Sequence, residues 1–183
     1  MELIDFIKVY DDVLSKEECS KCINIFERGL EYEKKKLDNK TQKFTQYWIT
    51  GHTPFVNSIK TKIRKCHSDY RSGLSERLDY PSIFPSKYSF EKFKIKKYIP
   101  ELEEEFRIHT DTSTLRSCKR FLSSLIYLND VEEGGETTFN DVTIKPKEGR
   151  LLIFPPLWMF PHSGKMPISN IKYILTTYLL LTR

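Results

Sequence analysis

The stretch RFLSSLIYLNDVEEGGETTF, residues 120–139, contains two short apolar or β-branched runs separated by an acidic turn with two glycines. Such runs are typical of β-strands, and the glycines favour a tight turn between them. Further strand-like runs occur in the second half of the chain, at 93–99, 106–110, 142–145, 150–155 and 173–182. Short strands at this spacing predict a β-sandwich or barrel.

The N-terminal part of the chain has a different pattern, which predicts two helices. Ser15 and Glu18 have the spacing of a capping box, and the helix that they open should end at Gly29. A second apolar stripe at helical spacing begins after Thr53 and should end at Gly73. The two patterns together predict an α+β protein, with a jelly roll (double-stranded β-helix) and N-terminal supporting helices.

The length and composition of the chain fit one domain. The 183 residues are 39% hydrophobic and 30% charged, which is typical of a soluble globular protein with its own core. We expect a single domain over residues 1–183. Residues 1–90 should provide helical support and a loop, and residues 91–183 the jelly-roll core.

The sequence gives no sign of export or membrane insertion. The N-terminus lacks a basic segment followed by a long apolar run, and no stretch of 18 uncharged apolar residues exists. We therefore expect a cytoplasmic protein with no membrane partner. The four cysteines are too few and scattered for a disulfide scaffold, and the Cys19–Cys22 pair is interpreted as core-facing thiols in a helix.

The net charge is +5, and lysines are concentrated in residues 33–43 and 60–65. A solvated face is the favoured interpretation of both segments. A basic patch for an acidic partner or a nucleic acid is the alternative. Charge alone does not choose a partner.

The stretch FRIHTDTS, residues 106–113, contains the candidate metal ligands. On an extended strand His109 and Asp111 would point the same way, about 6–7 Å apart at their Cα atoms. His162, on another predicted strand, can supply a third ligand. Two histidines and one carboxylate form the facial triad of non-haem Fe(II) oxygenases. A hydrogen-bonded His109–Asp111 pair in a loop is the structural alternative.

Lys172 lies at the start of the last, largely apolar run. A buried ammonium needs an anionic partner, and a dicarboxylate cosubstrate would supply one. Because Lys172 follows His162 by ten residues, an even number, a continuous extended path would place both on one face. A lysine that extends to solvent is the alternative.

Three segments, 96–111, 120–139 and 160–173, resemble the catalytic core of Fe(II)/2-oxoglutarate-dependent prolyl 4-hydroxylases in their order and spacing. The resemblance covers about half of the chain, from Tyr98 to the C-terminus. It implies that the iron ligands are His109, Asp111 and His162. It also implies that Lys172, Tyr98, Tyr127 and Thr137 bind or surround 2-oxoglutarate and that Arg120 faces the peptide substrate.

The resemblance implies a hydroxylase that consumes 2-oxoglutarate and O2, uses Fe(II), and takes ascorbate as its reductant. Its expected partner is a proline-containing peptide or protein. A hydroxylase of a free amino acid is the main alternative, and a nucleic-acid demethylase or a non-enzymatic jelly-roll binding module is less favoured. The sequence leaves the oligomeric state open.

Several other positions carry specific expectations. His52 and His67 should have surface or capping roles, and Trp158 should pack in the core. Residues 103–105 are interpreted as a solvated loop. The aromatic loop at 80–90 favours a peptide substrate.

Overall fold

The computed structural model describes residues 2–49, 53–78 and 84–182, and these form two helices and one long curled sheet. The helices are α1 (Lys16–Arg28) and α2 (Pro54–Leu78), with short 3-10 turns at Leu3–Phe6, Glu31–Glu33 and Pro100–Leu102. The strands are β1 (Lys8–Tyr10), β2 (Lys35–Asp38), β3 (Gln42–Trp48), β4 (Tyr88–Phe90), β5 (Lys94–Tyr98), β6 (Glu105–His109), β7 (Arg120–Tyr127), β8 (Thr137–Thr138), β9 (Thr143–Ile144), β10 (Leu151–Phe154), β11 (His162–Gly164) and β12 (Lys172–Leu181).

The sheet is antiparallel, and its strand order is β1-β10-β7-β12-β5-β3-β6-β11-β8-β9, with β2 beside β3 and β4 beside β12. Strands far apart in this order, such as β7 and β11, line the same pocket, so the sheet curls around it. This arrangement, with helices outside it, is the jelly-roll architecture that the sequence predicts. Many neighbouring strands are distant in the chain, as is usual for this fold.

The helices cover the outer face of the sheet. Buried residues of α1, including Cys19 and Cys22, and of α2, including Ile59 and Ile63, form one hydrophobic cluster with the outer residues of the central strands. The two cysteines are therefore core thiols, as predicted. Burial raises the pKa of each to about 12, which keeps both protonated at neutral pH.

The central strand β12 is buried on both faces. One face of the strand lines a pocket enclosed by the curled sheet, which we call the inner pocket, through Lys172, Ile174, Thr176 and Tyr178. The other face joins the hydrophobic cluster under the helices, which we call the outer cluster, through Tyr173, Leu175 and Leu179. This two-sided burial explains why the strand is apolar along most of its length rather than alternating in polarity.

The helix boundaries agree with the sequence at three of four ends. The Ser15 hydroxyl accepts from the Glu18 amide, the Glu18 carboxylate accepts from the Ser15 amide, and Gly29 follows the last residue of α1. Helix α2 begins at Pro54 but continues through Gly73 to Leu78. The predicted end at Gly73 was wrong because Leu74 extends the buried stripe.

Residues 33–43 contribute to the β2–β3 hairpin, and most of them are exposed, which agrees with the expected solvated face. Several other local expectations were wrong. His67 is buried on the α2 stripe, and its Nε2 lies 2.7 Å from the Ser124 hydroxyl. Glu104 is buried, and its carboxylate accepts from the Ile99 amide. Trp158 is 77% exposed rather than packed in the core. His52 lies outside the described residues.

The aromatic loop also differs from its expected role. Phe84 and Tyr88 pack against Phe121 at the outer cluster, so their rings do not support the expected preference for a peptide. Residues 79–83 lie outside the described ranges. Within those ranges, neither helix combines the length and apolar character that a bilayer span requires.

Gly149 joins the N-terminal segment to the sheet. Its φ is +77°, and an added Cβ would lie 2.3 Å from the carbonyl oxygen of Leu14. Gly149→Ala should therefore lower the free energy of unfolding by about 1–3 kcal/mol, measured by urea titration. Gly73→Ala, in open space on α2, should raise it by about 0.5–1 kcal/mol. Equal effects of the two substitutions would contradict this account.

Candidate active site

The pairing of β6 with β11 brings the three candidate metal ligands together. His109 and His162 are register partners on these two antiparallel strands, and Asp111 follows β6 by two residues. The Nε2 atoms of His109 and His162 each lie 3.5 Å from a different carboxylate oxygen of Asp111. One candidate ligand atom from each of the three residues lies within 4.8 Å of the others.

The hydrogen bonds of the two imidazoles fix which nitrogen faces Asp111. The Nδ1 of His109 lies 2.7 Å from the carbonyl oxygen of Arg107, and that of His162 lies 3.0 Å from the carbonyl oxygen of Phe160. A carbonyl can only accept, so Nδ1 carries the proton in a neutral imidazole and Nε2 presents its lone pair. Two lone pairs and a carboxylate then face one another, and a cation between them removes their repulsion. This donor set fits Fe(II).

The protonation states also suit a metal. Burial acts to raise the pKa of Asp111, but its contacts with the two facing histidines and the Lys96 ammonium outweigh burial and lower the pKa. Burial lowers the pKa of His162. A carboxylate that is ionised and an imidazole that is neutral are the forms in which these groups bind metal.

Aromatic rings surround the imidazoles. The Phe106 ring is stacked on His109, with 3.3 Å between the ring centroids and 9° between the planes. Phe139 and Phe154 lie 5.5 and 4.7 Å from the His162 ring by the same measure. These contacts hold the rings in place and keep the polar cluster in apolar surroundings.

Lys172 lines the same pocket as the three candidate ligands. Its Nζ donates to the carbonyl oxygens of Gly135 and Lys165, 2.9 and 3.3 Å away, and lies 4.4 Å from the centre of the Tyr98 ring. Within the described ranges it forms no ion pair. A buried ammonium without a carboxylate partner fits the dicarboxylate 2-oxoglutarate.

No continuous extended path joins His162 to Lys172, so the expectation based on their even spacing was wrong. The two residues lie on different strands, β11 and β12, so the even spacing does not bring them to one pocket. The curl of the sheet does. Glycines leave room for Lys172, since a Cβ at Gly135 would lie 3.2 Å from its Cδ and one at Gly164 would lie 3.6 Å from its Nζ.

The other predicted cosubstrate residues lie near Lys172. Tyr98 is its register partner on β5, and Tyr98 and Thr137 both line the pocket. Tyr127 is fully buried behind Thr137 and donates to its hydroxyl oxygen over 2.7 Å. The proton of the Thr137 hydroxyl is therefore free for another acceptor.

Arg120 lies in the wall of a second cavity, which we call the outer cleft. The outer cleft is about 320 Å³ and is lined by parts of the β2–β3 hairpin, β5, residues 109–120 and β12. Two guanidinium nitrogens of Arg120 donate to the carboxylate of Glu91, and a third donates to the carbonyl oxygen of Asp111. Arg120 therefore connects the wall of the outer cleft to the main chain of a candidate ligand.

Sequence reasoning missed several residues of these cavities. Lys96 and Tyr178 line both of them, and Ser123 lines the inner pocket. Lys96 is 8% exposed, and burial lowers its pKa to about 8. The alternation of strand β5 contains the missed signal, because Lys96 lies two residues from Tyr98 and therefore on its face.

A larger cavity, about 850 Å³, lies along α1 and Tyr47. The only group of candidate metal ligands among the described residues is the one at His109, Asp111 and His162. The chemistry therefore belongs to the inner pocket despite its smaller size.

Residues 93–180 match the family model of the 2OG-Fe(II) oxygenase superfamily. This match indicates the use of Fe(II), 2-oxoglutarate and O2. The matched segment contains the three candidate iron ligands and the residues around Lys172.

The chain is similar to the probable prolyl 4-hydroxylase 10 of Arabidopsis thaliana, with 26% identity over 206 residues that cover 93% of this chain and 67% of the plant protein. Its fold matches a viral collagen prolyl hydroxylase from Paramecium Bursaria Chlorella virus-1, solved as a 2OG complex, with a TM-score of 0.74 and 24% identity over 97% of each chain. It also matches a Trichoplax adhaerens prolyl hydroxylase, solved with a hypoxia inducible factor peptide fragment, with a TM-score of 0.71 and 20% identity over 96% of this chain and 84% of the other. These likenesses confirm the predicted fold.

The burial of Lys172 predicts a pH dependence of stability. Burial and the nearby Lys96 ammonium lower the pKa of Lys172 from 10.5 to about 7, so between these values the unfolded chain binds more protons than the folded chain. The contribution of Lys172 to the free energy of unfolding therefore rises with pH. Between about pH 7 and pH 9, the free energy of unfolding of the wild type should increase relative to that of Lys172→Met by up to about 1.4 kcal/mol per pH unit. Urea titrations measure this, and parallel pH profiles would contradict it.

Proposed function

We propose that this protein is a prolyl hydroxylase, which uses Fe(II), 2-oxoglutarate and O2 to hydroxylate proline residues in a peptide or protein. The observation that carries the proposal is one pocket that contains both a triad of converging ligands and the uncompensated ammonium of Lys172. Similarity to a probable plant prolyl 4-hydroxylase and to two solved prolyl hydroxylases supports the choice of substrate.

In this proposal His109 and His162 hold the iron through Nε2, and Asp111 holds it through its carboxylate. The carbonyl groups that accept from each Nδ1 keep the rings oriented, as is usual for metal-binding histidines. The hydrogen bond from Arg120 to the carbonyl oxygen of Asp111 holds the third ligand in position.

Lys172 is proposed to pair with a carboxylate of 2-oxoglutarate. Tyr98 packs its ring against the ammonium, and Thr137 donates its hydroxyl proton to the same carboxylate. Tyr127 makes this donation possible, because its own phenol donates to the Thr137 oxygen and leaves the threonine proton free.

A bound iron would supply the chemistry that links the decarboxylation of 2-oxoglutarate, which yields succinate and CO2, to the insertion of one atom of O2 into a C–H bond of the substrate. The protein positions the reactants and keeps water out with the rings of Phe106, Phe139 and Phe154. Arg120 is proposed to face the substrate from the wall of the outer cleft. Ascorbate is proposed to maintain the iron as Fe(II).

The triad assignment predicts a spectroscopic result. Anaerobic Fe(II) and 2-oxoglutarate should give the wild type a weak visible charge-transfer band, and His162→Ala should abolish both the band and succinate formation. His67→Gln is the matched control, because His67 lies outside the pocket and glutamine can keep a hydrogen bond to Ser124. A band of normal intensity in folded His162→Ala would show that the third ligand is misassigned.

The substrate assignment predicts a mass change. With Fe(II), 2-oxoglutarate and ascorbate, proline-containing peptides should gain 16 Da, which mass spectrometry detects, and omission of ascorbate should reduce the number of turnovers. Free amino acids and methylated oligonucleotides belong in the same experiment. Turnover of either of these, with no peptide modified, would refute prolyl hydroxylation of a peptide.

A further inference from the structure

Lys96 is a buried cation that the proposed function does not use. It is 8% exposed, and its Nζ lies 5.0 Å from the centre of the Phe44 ring and 4.9 Å from that of the Phe106 ring. Within the described ranges no hydrogen bond or ion pair of this ammonium is found. In apolar surroundings, the face of an aromatic ring stabilises an ammonium far less than a paired carboxylate would. Asp111 is the carboxylate whose charge acts on Lys96, but the two form no ion pair, so a bound anion would relieve the cost of burying this ammonium.

The charges in the inner pocket show where this anion has to come from. The negative charge of Asp111 and the two negative charges of 2-oxoglutarate would together balance the two positive charges of Fe(II) and the positive charge of Lys172. With metal and cosubstrate bound, the charge of Lys96 is the one that stays unbalanced in this pocket. The substrate is the component that remains to supply the balancing charge.

Lys96 lines both the inner pocket and the outer cleft, so it is positioned where a substrate reaches the iron. The outer cleft is strongly basic. Its cationic lining residues are Lys35, Lys94, Lys96, Arg116 and Arg120, and Asp111 is the one acidic residue among the lining residues that the structure describes. Lys94 and Arg120 are paired with Glu91, which lies behind them. The other cations of the cleft, Lys35, Lys96 and Arg116, create a positive potential that favours an anionic substrate.

We propose that the substrate is an acidic peptide, in which an aspartate or glutamate next to the target proline places its carboxylate on Lys96. This inference rests on the proposed function and narrows it to a substrate class. A cleft of about 320 Å³ accommodates a few side chains, which fits an extended peptide better than a nucleic-acid strand. Lys96 is then a specificity-determining residue that contacts substrate.

The test measures binding without turnover. Three peptides, acetylated and amidated at their ends, place glutamate, glutamine or lysine beside one proline, and their affinities are measured by fluorescence anisotropy with Mn(II) and 2-oxoglutarate bound. The wild type should bind the glutamate peptide at least tenfold more tightly than the glutamine peptide. Lys96→Met should reduce this ratio to about two or less, and Lys96→Arg should restore part of it.

Lys97→Met is the matched control. Lys97 is the next residue of β5, lies outside both cavities and pairs with Glu27, so this substitution removes the same charge without touching the cleft. It should keep the wild-type preference for glutamate. Thermal melting of each variant shows that the fold is intact.

Several outcomes would overturn the inference. Equal binding of the glutamate and glutamine peptides by the wild type is one. Another is a Lys96→Met variant that binds 2-oxoglutarate at least tenfold more weakly but keeps its preference for glutamate, because Lys96 would then serve the cosubstrate. A third is tighter, Lys96-dependent binding of free proline or of a single-stranded oligonucleotide.

The same peptides separate this inference from the proposed function. If all three gain 16 Da at equal rates in the wild type, prolyl hydroxylation stands and the role of Lys96 falls. If none gains mass while 2-oxoglutarate is still consumed, the prolyl assignment falls. Preferential hydroxylation of the glutamate peptide, lost in Lys96→Met, supports both.

Discussion

The pairing of β6 with β11 is the contact on which the site depends. It sets His109 opposite His162, and the turn after β6 then brings the Asp111 carboxylate to both Nε2 atoms. Because each Nδ1 donates to a carbonyl, the three inward-facing groups are all acceptors, and in buried surroundings they repel one another unless a cation lies between them. The geometry is thus arranged for a metal.

The sheet supports this arrangement by having two buried faces. Its outer face packs against α1 and α2, and its inner face carries polar groups that would be costly without ligands. Lys172 and Lys96 are the clearest cases, since burial lowers the pKa of both. Hydrophobic burial in the outer cluster offsets the free-energy cost of burying these two charges. Bound anions would lower that cost.

The sequence predicted the features that depend on local chemistry or on a spaced motif. These include the capping box at Ser15, the jelly roll, and the positions around His109 that the family resemblance identifies. It missed features that depend on tertiary packing. The charge-rich segment 33–43 obscured a hairpin. Alternation along β5 places Lys96 on the same face as Tyr98, but the burial of that face follows only from the packing of the sheet on both sides. The burial of His67 was predictable, because it continues the α2 stripe from Ile63.

An anaerobic crystal structure with Mn(II) and 2-oxoglutarate tests the central claim most directly. The account predicts one anomalous peak contacted by Nε2 of His109, Nε2 of His162 and the Asp111 carboxylate, with a carboxylate of 2-oxoglutarate on the Nζ of Lys172. A metal bound by other residues would contradict it, as would a cosubstrate whose carboxylates contact Lys96 and not Lys172.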